Sequence, residues 1–358
     1  MTLISKYIAA TIIQFFVLGL LAVLGMIIAI DYLTNMDEFL KAQISIWRAF
    51  QYVLLKLPFI STQLIPVVLL MSILITFGLM SRHNEIIILN ASGISIYTLF
   101  KPVITLSIVA GLLIFLLSES INPLTMLKAN QIKYREIRKS SNLAVKQENV
   151  WVKGPHSITH IALFHPSGKT AQGFTHYVFD SRFRLIRRLD AKQARFQEGQ
   201  WILHNGLEQT LDTKANALHA ETFAAREVKI GLQPDEFSEV VRRSEEMNVH
   251  QLSAYIDRVE AEGYTAHEYR VDLYHKSAYP FVCVIMGLIG MGLTARKKMT
   301  QGLPIAVSMG IAVAFLYWIF QSFCLSLGYG GALPPLAAAW GANFVFLGGG
   351  ILLLIDAE

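Results

Sequence analysis

The sequence predicts an α-helical integral membrane protein of six transmembrane helices, with an antiparallel β domain between the third and the fourth. Three observations predict it. Of the 358 residues, 53% are hydrophobic and 16% charged, against about 25% charged in ordinary soluble domains, and the mean hydropathy is positive. Several runs are uncharged over the roughly 20 residues that a helix needs to cross about 30 Å of hydrocarbon. From about Val150 to Leu232 the apolar period changes to two, the signature of half-buried strands.

The first span is read at Tyr7 to Ile30, without a charge. It exceeds the roughly 7 to 15 residue apolar core of a signal peptide, and no small-x-small cleavage site closes it, so it reads as a retained helix. The second covers Leu57 to Met80 and starts earlier, near Trp47, with Lys56 snorkelling or facing protein. Pro58 and Pro66 inside it predict a kinked helix whose freed carbonyls are satisfied by neighbouring helices. Lys101 and Glu119 bracket the third, Pro102 to Ser118, and Glu119 with Asn122-Pro123 marks its outer end. The fourth is Ser277 to Ala295; Thr300 to Ala332 and Gly331 to Ile355, divided by "GYGGALPP", are the fifth and sixth.

Lys6, Arg82, Lys101, Arg296, Lys297 and Lys298 fall on one side of these spans, whereas Lys41 and Arg48 on the other are balanced by Asp31, Asp37 and Glu38. The positive-inside bias places both termini, the Arg82 loop and the Arg296 loop in the cytoplasm, with Ser120 to His275 outside. Residues 1–119 thus hold the first three spans, 120–275 an outer region with its β domain at about 145–235, and 276–358 the last three spans.

Within the outer region, "SITHIALFH", "GFTHYVFD", "RLIRRLDAKQARF", "QWILHNGLEQTL" and "FAAREVKIGL" alternate apolar and polar residues between the turn signals "HPSGK", "QEGQ" and "HNG". Such strands build a small sandwich, a jelly roll or an open, twisted sheet. Its edges either pair with a second β domain or stay within a sheet that packs on itself. "NVHQLSAYIDRVEAEG" then reads as an amphipathic helix ending at Gly263. Thr265 and Glu268 have the capping-box spacing for a next helix, which runs through "YRVDLYHKSA" into the fourth span. That link is either a stiff rod or is hinged at Pro280.

Catalytic and metal chemistry find little support. The net charge of +5 is spread along the chain, which does not imply nucleic acid, and Cys283 and Cys324 lie inside spans, where they make no disulfide framework. Gly168-Lys169-Thr170 ends like a phosphate loop, but Leu163 stands where the motif needs glycine and strand-like alternation follows, so a hairpin turn is read there. "HEYRV" has Val271 in place of the second zinc histidine, and His156, His160, His165 and His176 are scattered through strands, so no metal site is read. Glu119 reads as an interfacial residue, and no acid, base or charged relay lies within the spans for an ion-driven transporter or an intramembrane hydrolase. What remains is a membrane protein that is structural or is driven by another subunit.

"MSRHNEIIILNASGIS" after the second span bears on that choice. Ser81 or Asn84 caps a short helix, Glu85 complements its dipole, and Gly93 supplies a left-handed stop. A polar start at Arg82, His83 and Glu85, followed by Ile86 to Leu89, suits the groove of a soluble motor subunit. It equally suits a helix lying on lipid or an extension of the span.

Taken together, "EIIILNASG" after the second span, "HKSAYPFV" entering the fourth, "GGALPPLAAAWGAN" entering the sixth and a long outer β domain resemble the LptF/LptG family of lipopolysaccharide export permeases over essentially the whole chain. "VWVKGPHSITHI" and the length resemble the LptG side of the family. The resemblance implies a non-catalytic membrane subunit of an ABC transporter in the bacterial inner membrane, with a jelly-roll-like periplasmic β domain. Its partners would be an LptF-type permease, an LptB-type ATPase dimer that binds the ATP and magnesium, and LptC- and LptA-like β-jelly-roll proteins. This chain would bind no cofactor. Its cargo would be lipopolysaccharide, taken from the outer leaflet and passed along the β-jelly-roll bridge.

By position, Arg82, Glu85, Ile86, Ile87, Leu89, Ala91, Ser92 and Gly93, within about 82–93, match the family's coupling helix, which docks in the ATPase. A lipid A head group needs cations at the outer interface, where Lys41, Lys128, Lys133 and Arg135 lie just outside spans one and three. Asp31, Asp37 and Glu38 among the cations at the first span's end depart from some relatives. Gly19, Gly25 and Gly310 allow the close helix approach of a subunit interface, or of packing within one subunit. The alternative is a structural envelope scaffold whose β domain binds partners and whose short loop only anchors.

Overall fold

The structure, a computed structural model, describes residues 3–93, 96–137, 147–154, 156–165, 170–197, 200–212, 217–228, 243–261, 265–295 and 303–356. Arg296, Lys297, Lys298, Gly168 and Lys169 lie outside these residues. The chain divides into a helical unit and a β unit that begins at Tyr134 and ends at Arg242, with Leu40–Gln43 grouped to the latter.

In the helical unit α1 is Leu3–Thr34, α2 Met36–Ala42, α3 Ile46–Arg82, α4 Glu85–Ala91, α5 Ile96–Leu116 and α6 Asn122–Ile132. After the strands come α7 Val249–Ala261, α8 His267–Ala278, α9 Val282–Ala295, α10 Leu303–Tyr329 and α11 Pro335–Ile355. Among the described residues six helices are long and apolar enough to cross a membrane: Leu3–Thr34, Ile46–Arg82, Thr98–Ile132, His267–Ala295, Val307–Tyr329 and Pro335–Ile355.

Three elements run differently from the sequence reading, the first being "HNG", read as a turn between strands, which lies inside the single strand Gln200–Asp212. The third helix does not stop at Glu119 and Asn122-Pro123: a π turn at Leu117–Ile121 leads directly into α6, which carries Pro123 near its start. The expected Thr265 box does not form, because α8 starts one residue later, with Ala266 as its cap and no side-chain cap bond. Ala266 is buried with Met247, Leu252 and Ile256, and that packing sets the start. The side-chain cap belongs to α7 instead: Gln251 N–H donates to Asn248 Oδ1 at 2.8 Å and Asn248 N–H to Gln251 Oε1 at 3.1 Å.

The bundle is built around α3. Its Ile65, Leu69, Ile73 and Phe77 pack with Ile8 and Ile12 of α1, Val103 and Ile114 of α5 and Cys283 of α9. On its other side Leu70 and Leu74 meet Ile285, Met286 and Ile289 of α9, Tyr317 of α10 and Ala342 of α11. Tyr279 Oη donates to the carbonyl of Gln63, between Pro58 and Pro66 of α3, at 3.1 Å. In the fourth span a 3-10 turn at Tyr279–Phe281 joins α8 to α9 at Pro280, with helical backbone at Ala278, Tyr279 and Val282, so that His267–Ala295 runs as one helix. There Asn343 Nδ2 donates to the carbonyl of Ala278 at 2.8 Å. Lys56 faces protein: its Nζ lies 2.6 Å from Asp31 Oδ1, joining α3 to α1.

The β unit is a six-stranded antiparallel sheet in sequence order: β1 Gln147–Lys153, β2 Ser157–His165, β3 Thr170–Phe179, β4 Leu185–Gln197, β5 Gln200–Asp212 and β6 Ala217–Val228. At one row, Asn149, Ala162, Gly173, Lys192, Asn205 and Ala224, the ladder pairing lapses on every strand while the register is kept on either side. Buried positions change phase across it, from Ile161 to Phe164, Ala171 to Phe174 and Ala191 to Ala194. Gly173 (φ 65°) and Asn205 (φ 51°) are left-handed there, and a Cβ on Gly173 would come within 2.7 Å of Ala162 Cβ. The sheet is therefore creased along this row. Strands β2 and β5 would stand about 14 Å apart in a flat sheet, yet the rings of Phe164 and Trp201 are 6.5 Å apart. The crease closes one face over Ile161, Phe174, Leu189, Trp201 and Leu203, all fully buried.

Candidate functional site

The stretch between α3 and α5 folds as its residues dictate. α3 ends where His83 N–H donates to the Leu79 carbonyl and Asn84 N–H to that of Ser81, each at 3.0 Å. Asn84 takes a left-handed backbone (φ 60°), which asparagine tolerates better than most residues, and this turn redirects the chain into α4. The Asn84 carbonyl accepts from Ile88 N–H at 3.1 Å. Ser92 closes the helix, its N–H and Oγ both donating to the Ile88 carbonyl at 3.0 and 2.8 Å. Gly93 follows at φ 77°, the expected left-handed stop.

The four apolar residues of α4 divide by face. Ile86 and Leu89, three apart, pack against the cluster that contains Ile8, Phe77, Met80 and Leu99. Ile87 and Ile88 point outward, each 61% exposed, and Arg82, Ala91, Ser92 and Gly93 are exposed around them. Glu85, half-buried, lies 3.8 Å from His83 Nδ1 and accepts from Tyr7 Oη of α1 at 3.4 Å. Beside it an apolar hollow of about 250 Å³ opens between α1 and α4, walled by Leu3, Ile4, Met80 and Leu89. The result is a rigid short helix, seated on its own bundle by one face and offering two isoleucines and a carboxylate on another. Ile88 and Tyr7 were not singled out from sequence. The spacing of Ile86 to Leu89 was the available signal for Ile88; Tyr7, in a uniformly apolar run, gave none.

The remaining candidates are dispersed. Lys41 is exposed on α2 and Lys128 on α6, and Lys133 is half-buried in the π turn Lys133–Ile137. The side chain of Arg135 lies outside the described residues. Gly19 and Gly310 abut α3 of the same chain, at Val68 and at Leu74 and Met71, whereas Gly25 faces open space. Among the described residues no three His, Cys, Asp or Glu side chains converge on a metal position.

With this architecture in place, comparison with known proteins is decisive. The family described as lipopolysaccharide export system permease LptF/LptG matches residues 6–356. The chain belongs to the LptF/LptG family. It is 22% identical over 346 residues to the lipopolysaccharide export system permease protein LptG of Haemophilus influenzae, covering 95% of this chain and 93% of that one. It is 21% identical over 340 residues to LptG of Escherichia coli K12, covering 94% and 93%. The six apolar helices and the β domain are thus those of a multi-pass inner-membrane permease of lipopolysaccharide export.

Proposed function

We propose that this permease works as the LptG-type half of an ATP-driven exporter. A dimer of an LptB-type ATPase drives it from the cytoplasm, holding the ATP and magnesium, and an LptF-type permease completes the membrane part. Lipopolysaccharide is drawn from the outer leaflet and handed to LptC- and LptA-like β-jelly-roll proteins. Both termini and α4 then lie in the cytoplasm and the β domain in the periplasm.

The observation that carries this reading is α4, which holds Ile87 and Ile88 in the open when its other two apolar residues are already packed. An apolar pair beside a carboxylate on a braced helix fits a groove of a soluble partner. In this reading Lys41, Lys128, Lys133 and Arg135 meet the lipid's phosphates, and Gly25 lies at the contact with the second permease. Gly19 and Gly310 are engaged with α3.

The test is gentle purification of the tagged chain from its native membrane, followed by an assay of ATP hydrolysis with and without lipopolysaccharide. An ATPase that co-purifies and whose turnover responds to the lipid supports the reading. A preparation without ATPase, in a detergent that keeps such complexes intact, would instead favour an envelope scaffold.

A further inference from the structure

The first described residues after the β domain's last strand are fastened to two spans at once, the third and the fourth. Ser244 Oγ donates to Asp272 Oδ2 on α8, and Asn130 Nδ2 of α6 donates to Glu246. Tyr329, ending α10, donates to Asp272 Oδ1 at 2.6 Å. Two residues of opposite charge then grip the backbone. Lys276, four residues before Pro280 in the fourth span, donates to the Met247 carbonyl. Glu119 in the third span accepts the Val249 N–H with both carboxylate oxygens, at 3.0 and 3.2 Å.

The hydrogen-bond accounting at the start of α7 gives Glu119 a specific task. The first N–H groups of a helix have no partner within it. Asn248 and Gln251 satisfy each other's N–H groups, which leaves those of Val249 and His250 in the first turn, and Glu119 accepts that of Val249. A carboxylate at a helix N-terminus also opposes the positive end of the helix dipole. Glu119 lies in the π turn Leu117–Ile121. Such a turn inserts one residue into the helix and changes which side chains face a neighbour, and it is frequent at functional positions.

We propose that Glu119 is a positioning residue of the transporter, which with Lys276 registers the segment 247–249 on the third and fourth spans, so that displacement of either span is delivered to the chain coming from the β domain. This rests on the motor-driven reading given above. An anion holding an amide and a cation holding a carbonyl two residues away resist sliding in both directions along the backbone. The grip lies next to the 3-10 turn at Tyr279–Phe281, through which α8 runs on into α9.

The test uses the full complex in proteoliposomes, with Glu119→Ala and the near-isosteric Glu119→Gln. Two quantities are read: backbone amide exchange across Val249–Leu252, and lipopolysaccharide released per ATP hydrolysed. Glu119→Ala is expected to speed exchange at the start of α7 by roughly tenfold or more. It should lower the release ratio several-fold while lipid-free ATP hydrolysis stays at the wild-type rate, with Glu119→Gln intermediate in both. Faster exchange with an unchanged ratio would reduce Glu119 to a structural cap and overturn the proposal, as would unchanged exchange in both variants. Wild-type complex that releases no lipid on ATP addition would sink the motor-driven reading itself, a result separable from either variant outcome.

Discussion

The division of α4 into two faces makes a contrast that one pair of variants can read. Ile87 and Ile88 are each 61% exposed, whereas Ile86 and Leu89 are packed on the helix bundle. Burying a whole isoleucine side chain is worth about 1.5 to 3 kcal/mol, so covering the exposed part of Ile87 or Ile88 contributes roughly 1 to 2 kcal/mol. Ile87→Ala with Ile88→Ala should therefore weaken the ATPase's hold by about 2 to 4 kcal/mol, or roughly 30- to 700-fold. The permease itself should nearly keep its unfolding temperature, because neither side chain belongs to the core cluster on which Ile86 and Leu89 pack. The assay titrates purified ATPase onto the detergent-solubilised permease and follows complex formation and hydrolysis together. Ile86→Ala with Leu89→Ala should behave the other way, lowering the permease's own stability. If the outward pair leaves ATPase affinity within about threefold of wild type, the exposed face is not the docking face.

Other elements give shorter tests. Lys56→Met should destabilise the contact between α1 and α3 by about 1 to 3 kcal/mol, because it leaves the Asp31 carboxyl, at 20% side-chain exposure, without its cation. Adding Asp31→Asn should restore most of the loss in thermal unfolding of the solubilised protein. In the β domain His176 is 7% exposed and shares a 2.8 Å hydrogen bond with Thr159. Burial, followed by the nearby Arg187, lowers its pKa from 6.5 to about 4. The unfolded chain thus takes the proton first, and stability present above pH 6.5 is lost as pH falls towards 4, by up to roughly 3 kcal/mol. Amide exchange of β-domain segments at neutral and mildly acidic pH should show that slope, and His176→Gln should flatten it. Gly173→Ala should cost the β domain about 2 kcal/mol or more, through its left-handed backbone and the contact with Ala162, measured by the same exchange.

Much of the fold was written in periodicity and charge. Uncharged runs located the six spans, and period-two alternation located the strands. What escaped was decided by packing. Asn122-Pro123 with Glu119 read as the outer end of the span, yet the helix runs on through a π turn, which has no sequence signature. Thr265 and Glu268 had the spacing of a capping box, but burial of Ala266 moved the helix start, while "NVHQ" held the box that forms. The crease shows only once strands are paired, since Gly173 and Asn205 are far apart in sequence and share one row. At the site, the segment and Gly93 were legible. Which isoleucines point outward was not, because a helix of under two turns has no orientation until it is seated on Ile8, Phe77 and Met80.

The account's central claim is that this permease extracts lipopolysaccharide when a partner hydrolyses ATP. The direct measurement is release of lipopolysaccharide from proteoliposomes holding the purified complex, with a soluble β-jelly-roll acceptor outside. Release that requires hydrolysable ATP, and is lost in the Ile87→Ala, Ile88→Ala variant, is the predicted result. Release at the same rate without ATP, or none with an ATPase bound and turning over, would contradict it.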